Sequence, residues 1–169
     1  MADTDNVQSL TAYVGLLEVG NVKHTKPKTL LVSAAAGATG SIVCRIATRV
    51  LGIQHVIGIA GSAEKCRLLK EIGCHVTLNY KDPDFLDQLD SCTPEYIDLF
   101  FDNVGGFVLD YALQRMAKNG RIVSCSSVSS YNNVDARGIS AKSWSLVVSF
   151  LSSPCCTRHM RSQLPSRSE

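Results

Sequence analysis

The stretch Leu30-Leu31-Val32-Ser33-Ala34-Ala35-Ala36-Gly37-Ala38-Thr39-Gly40-Ser41 decides how this sequence is read. An apolar run enters a turn made only of small residues and passes directly into a helical period. The spacing is a degenerate GxGxxG, with Ala35 at the first glycine position, Gly37 at the second and Gly40 at the third. Small residues there let the backbone approach a pyrophosphate and let the helix pack tightly on its strand. The N–H groups at the start of the following helix would then offer an anion site. The same residues also suit a turn closed only for packing, so the setting has to decide. No GK[ST] follows at Walker A spacing, and none of the five tyrosines has a lysine four residues on. Those absences count against a P-loop and a short-chain dehydrogenase.

Working outward, β-branched apolar runs alternate with segments of helical period, the pattern of successive βαβ units. Strands are expected at 30–34, 55–59, 75–79, 96–101 and 121–125, nearly continuous in apolar character, as parallel strands covered on both faces should be. Helices are expected at 41–51, 63–72, 83–91 and 108–117, with Gly52, Gly73 and Gly120 as C-terminal caps. One more amphipathic helix, 10–19, precedes the first strand, followed by a polar connector at 21–28. The fold class is therefore α/β, a Rossmann-type doubly wound parallel sheet in the order 3-2-1-4-5, with the turn at its first strand, where dinucleotide chemistry requires it.

The 169 residues, 45% hydrophobic and 19% charged, fit one globular domain that hides roughly 70% of its unfolded surface without a disulfide or metal staple. Seventeen Lys+Arg against fifteen Asp+Glu leave a formal charge of +2, too little for a nucleic-acid binder built on phosphate contacts. Seven cysteines with no CxxC pair give neither a zinc site nor a closed disulfide framework; free thiols, no metal and a cytoplasmic location are expected. No secretory signal pattern and no run of 18 apolar residues is present, so no membrane partner is expected. Residues 139–169 differ from the rest: all 12 glycines precede them, and they are Ser-rich with Arg158, Arg161 and Arg167. Only the apolar stretch 144–151 there could form a strand or short helix, and the tail from Ser152 onward is expected to be disordered.

At the second strand the tip reads Ile59-Ala60-Gly61-Ser62-Ala63-Glu64-Lys65, where an NAD-specific site would place an acid on the ribose hydroxyls. None stands at the tip. Gly61 and Ser62 leave room for a bulky group, and Lys65 one turn later has the charge a 2′-phosphate needs. A solvated lysine is the plainer alternative.

Six motifs then occur in order over about 130 residues: Leu10-Thr-Ala-Tyr-Val-Gly-Leu-Leu-Glu-Val-Gly20, the Ala34 to Ser41 turn, Ala60-Gly-Ser-Ala-Glu-Lys-Cys66, Asn79-Tyr-Lys81, Phe101-Asp-Asn-Val-Gly-Gly106 and Gly120-Arg-Ile-Val123. Together they resemble the zinc-independent medium-chain dehydrogenases/reductases, in particular the prostaglandin reductase, leukotriene B4 12-hydroxydehydrogenase and alkenal double-bond reductase group. The resemblance implies NADP(H) as cofactor. It also implies reduction of the C=C bond of α,β-unsaturated ketones or aldehydes, as in a 15-oxoprostaglandin 13-reductase, with a small enone or enal as substrate. It places the pyrophosphate on Gly37, Ala38, Thr39 and Gly40, the 2′-phosphate on Lys65, the adenosine side on Tyr80 and the nicotinamide side on Asn103. Cys125, Ser126, Ser127, Val128, Ser129, Ser130 and Tyr131 would pass under the nicotinamide.

The sequence departs from that family at both ends. The family's chain begins well before the match with a GroES-like β domain, whereas here only Met1 to Gln8 precede it, and similarity fades after Tyr131-Asn132 and is gone by Ser140. No catalytic residue is carried over. The expected organisation is an N-terminal helix and connector at 1–28, a dinucleotide-binding domain at 29–138 and a divergent, poorly ordered tail at 139–169. The last strand of the sheet would be missing and the bared edge could pair with a second copy. The abrupt divergence fits an altered reading frame, a retained intron or a truncated gene model better than an evolved domain. The alternative function is a non-catalytic dinucleotide-binding module or a fragment without activity of its own; a methyltransferase fits the turn and Lys65 less well.

Overall fold

A computed structural model describes residues 3–125 and the backbone of 147–150. The elements are α1 (Asp3–Val14), α2 (Val22–Thr25), β1 (Thr29–Val32), α3 (Ala38–Arg45), β2 (His55–Ala60), α4 (Ala63–Ile72), β3 (Val76–Asn79), α5 (Phe85–Cys92), β4 (Ile97–Asp102), α6 (Phe107–Gln114), β5 (Met116–Ser124) and β6 (Val147–Phe150). Helices α1 and α3 each run on into one wide π-helical turn, Gly15–Val19 and Ile46–Val50. The sheet order is β3-β2-β1-β4-β5-β6, and the first five strands are parallel, in the expected sequence.

Both faces of the sheet are covered, so successive side chains along a strand enter different cores. Leu30 and Val32 of β1 join Val56 and Ala60 of β2, Leu99 and Phe101 of β4 and Val123 of β5 beneath Ala12, Leu16, Val43, Cys44, Leu69 and Ile72. Leu31, Ile57, Ile59, Phe100 and Ile122 point the other way, against Phe85, Leu89, Val108 and Ala112. The first core thus holds α1, α3 and α4; the second holds α5 and α6.

Several boundaries differ from the sequence reading, each for a packing reason. Helix α6 stops at Gln114, not 117, because Ile97 N–H already donates to Arg115 O (2.8 Å) and Met116 pairs with Ile97 in the sheet. Gly120 is consequently a strand residue and not a cap. A Cβ there would lie 2.9 Å from Ile97 O and 2.8 Å from Met116 Cε. Gly73 does cap α4, at φ 111°, and Gly52 has φ 61°. The polar connector contains the short α2, bounded by Asn21 and Lys26 in left-handed conformations.

The edge beyond β5, expected to be bare, carries β6 in antiparallel pairing, with Ser124 opposite Val147 and Arg121 opposite Phe150. This strand falls within the apolar 144–151 stretch of the segment expected to be poorly ordered. An approaching second chain would therefore meet β6 and not the parallel edge. The rest of 139–169 lies outside the described residues.

Gly15 lets α1 lie directly on the sheet, since a Cβ there would come within 2.6 Å of Phe101 Cε2 and 3.3 Å of Val123 Cγ1. Phe101 is fully buried and has nowhere to move. Gly15→Ala is therefore expected to destabilise the fold by ~1–3 kcal/mol through overpacking, less the helix-propensity gain of up to ~1 kcal/mol. Urea unfolding of parent and variant checks this; an unchanged or raised midpoint would show that α1 does not sit on Phe101.

Candidate dinucleotide site

In a parallel sheet of this order the strand order reverses between β1 and β4, and ligands bind outside the carboxyl ends of the strands at that point. The tips of all five parallel strands carry residues singled out from sequence: Gly37, Ala38, Thr39 and Gly40 after β1, Lys65 after β2, Tyr80 after β3, Asn103 after β4 and Cys125 after β5. Ser126, Ser127, Val128, Ser129, Ser130 and Tyr131 lie outside the described residues.

The β1 turn is built as its small residues require. Ala34 takes φ 45°, and its carbonyl accepts from Gly37 N–H at 2.9 Å, closing the turn. Gly40 is needed by the fold itself, because a Cβ there would sit 2.4 Å from Ala34 O and 2.7 Å from Ala35 Cα. Gly37 differs. It is exposed and extended (φ −75°, ψ 174°), and its absent Cβ would touch only Ala34 O, at 3.1 Å. Gly37 also caps α3 without any side-chain hydrogen bond to the helix N–H groups. An open approach and uncapped donors are what an anionic ligand at this turn needs.

At the β2 tip no acid follows Ala60. Ser62 caps α4, its Oγ accepting from Lys65 N–H at 3.3 Å, so Lys65 extends from the first helical turn with its side chain in solvent. The Tyr80 ring lies over Gly61, its Cε1 and hydroxyl 2.7 and 3.0 Å from where a Cβ would stand. The Tyr80 ring, 41% exposed, is met edge-on by Phe107 at 6.4 Å and flanked by Lys81 Nζ at 5.9 Å. Phe107, 55% exposed at the start of α6, is an aromatic surface that the sequence reading passed over. Its signal was a large apolar residue directly after Gly105-Gly106, where a helix begins.

Asp102 is the other residue sequence reasoning left without a role, although it lies in a quoted motif. It is fully buried, and its Oδ1 accepts from Ser33 Oγ–H (2.7 Å), Val104 N–H (3.1 Å) and Gly105 N–H (3.0 Å). Asn103 N–H donates to Ser33 Oγ and Asn103 Nδ2–H to Ser33 O, both at 2.8 Å. The tips of β1 and β4 are thereby tied across the reversal point. Cys125 N–H donates to Asp102 O at 2.8 Å, adding the tip of β5.

The five described cysteines are free thiols. Burial, then the negative charge of Asp102, pushes the Cys125 thiol up to about 12. Burial likewise raises Cys92 to about 11. Among the described residues, no group of three or more His, Cys, Asp or Glu side chains could hold a metal ion.

A parallel sheet of this order with a small-residue turn at its switch point is a Rossmann-type α/β arrangement. Residues 38–165 match the family model described as zinc-binding dehydrogenase. The chain belongs to that family, within its zinc-independent medium-chain reductases. It is 48% identical over 130 residues to prostaglandin reductase 1 of Bos taurus, covering 76% of this chain and 38% of the relative. It is 43% identical over 123 residues to the NADPH-dependent curcumin reductase of Escherichia coli (strain K12), covering 72% and 34%. The structure of CurA from Vibrio vulnificus in complex with NADPH superposes with a TM-score of 0.67 at 39% identity, over 77% of this chain and 38% of that one. The chain thus spans little more than a third of the length of these relatives. The zinc of the family description finds no ligand set among the described residues.

The raised thiols bear on stability in alkali. In the unfolded chain they ionise around the ordinary 9.0, whereas in the fold they keep their protons to about 11 and 12. Above pH 9 the unfolded state therefore binds fewer protons, and the stability present below pH 9 is lost as pH rises toward 12. The urea midpoint is expected to fall between pH 8 and 10.5, and to fall less in Cys125→Ala. An equal fall in parent and variant would remove Cys125 from the effect.

Proposed function

We propose that this chain is the NADP(H)-binding half of a reductase acting on the C=C bond of α,β-unsaturated ketones or aldehydes. The observation that carries the reading is the uncapped, open start of α3 at Gly37, placed at the reversal point of the sheet. In this reading the N–H groups of Ala38, Thr39 and Gly40 hold the pyrophosphate, and Lys65, with no acid at the β2 tip, holds a 2′-phosphate. Tyr80 lies on the adenosine side and Asn103 on the nicotinamide side. Cys125 and Ser126 to Tyr131 line the nicotinamide face, with Cys125 kept as a neutral thiol. The bound cofactor supplies hydride; the chain's own residues bind and orient it. The family resemblance and the NADPH named for the curcumin reductase and the CurA structure support this reading. A cytoplasmic location and a small enone partner belong to it, and no described helix is long and apolar enough to cross a membrane.

The alternative reading is a dinucleotide-binding module without turnover. Hydride transfer needs donor and acceptor held within ~3–3.5 Å in a site closed to water. Residues 1–169 assayed with NADPH and a simple enone separate the two: loss of NADPH absorbance supports the reductase, binding without turnover the module.

Cofactor choice is tested directly. The chain is expected to bind NADPH more tightly than NADH, and Lys65→Ala to weaken NADPH by about 1–3 kcal/mol while leaving NADH nearly unchanged. Gly37→Val is expected to abolish binding with little loss of stability, whereas Gly40→Val, which strikes Ala34 and Ala35, unfolds the turn. Calorimetric titration with both nucleotides decides it, and equal affinities in the parent protein would sink the assignment of Lys65.

A further inference from the structure

The hydrogen bonds at the β1/β4 reversal point fix more than the backbone. Ser33 is 1% exposed and Asp102 wholly buried, and the serine hydroxyl stands between two partners. It donates to Asp102 Oδ1 and accepts from Asn103 N–H. The neighbouring Ser33 carbonyl accepts from Asn103 Nδ2–H, which determines how the side-chain amide is turned. Its Nδ2 is held against β1, so Oδ1, which takes no hydrogen bond from the described residues, is the group left for a ligand. Asn103 is itself only partly buried. An amide oxygen accepts and cannot donate, so what it meets has to be an O–H or N–H. Bonds in such a chain polarise one another, and removing one member loosens the rest.

We propose that Ser33 and Asp102 are positioning residues for the nicotinamide end of the bound dinucleotide, holding the Asn103 amide so that its oxygen accepts from a ribose hydroxyl or the carboxamide N–H. The inference rests on the NADP(H) reading above and adds a division of labour within it. The adenosine end depends on Lys65 and Tyr80, which share no described hydrogen bond with Ser33 or Asp102. The nicotinamide end depends on a buried serine and aspartate that touch no ligand.

Two ligands separate the ends: NADPH, and adenosine 2′,5′-bisphosphate, which lacks the nicotinamide half. Ser33→Ala and Asp102→Asn in the full chain are expected to weaken NADPH about tenfold while changing adenosine 2′,5′-bisphosphate less than about twofold. Both variants are also expected to lose the change in dihydronicotinamide fluorescence that the parent protein induces. Ser33→Thr, which keeps the hydroxyl, is expected to restore that signal. Equal weakening of both ligands, as a damaged fold would give, or of neither, overturns the proposal. If the parent protein binds neither ligand, the NADP(H) reading falls and this inference with it. If the parent binds both and the variants match it, only this inference falls.

Discussion

The carboxylate of Asp102 is the contact that ties together the carboxyl-terminal edge of the sheet. A fully buried acid is tolerable only when its oxygens are taken up by donors, and here Ser33, Val104 and Gly105 supply them at 2.7 to 3.1 Å. The donors come from two strand tips that sequence separates by about 70 residues. Satisfying one side chain therefore ties the tips of β1 and β4 together and holds the turn at Val104 and Gly105 that leads into α6. Removing the acceptor would leave several buried donors unpaired at once.

The remaining architecture follows from covering a parallel sheet on both faces. All the strand-to-helix turns emerge at one edge, and at that edge the helices must start close to the strands they follow. Gly40 is the point where this closeness is absolute, since a Cβ there would enter the backbone of Ala34 and Ala35. Gly37 is less constrained by the protein's own atoms. The contrast separates a glycine that the fold requires from one whose open side faces outward, a distinction the repeating G of a motif cannot express.

The opposite end of the strands shows the same economy of contact. Arg115 reaches Asp90 at 3.3 Å and the backbone of Thr93 and lies 5.0 Å from the Tyr96 ring centroid, while Tyr111 donates to Asp90. This cluster joins the end of α5 to the end of α6 and explains why β5 begins as early as Met116. Thr93, 1% exposed, is held by its own bond to Leu89 O. The residues of the candidate site gather at one end of the strands and bracing groups at the other.

Much of this was legible in the residues. Apolar runs at 55–59 and 75–79, separated by a helix from Ala63 to Ile72 with Ser62 before it and Gly73 after it, define their elements because caps and periodicity are local properties. The turn from Ala34 to Ser41 and the missing acid after Ala60 are likewise readable, since they depend on residue size and charge alone. What sequence could not supply is anything set by contacts between distant segments. The end of α6 and the strand role of Gly120 depend on Ile97. The placing of β6 depends on the edge of β5. The duties of Ser33 and Asp102 exist only because β1 and β4 lie side by side. Local preference fixes which elements form and where charge and space are available; the pairing of strands far apart in the chain decides which buried polar atoms meet, and with them the geometry of the site.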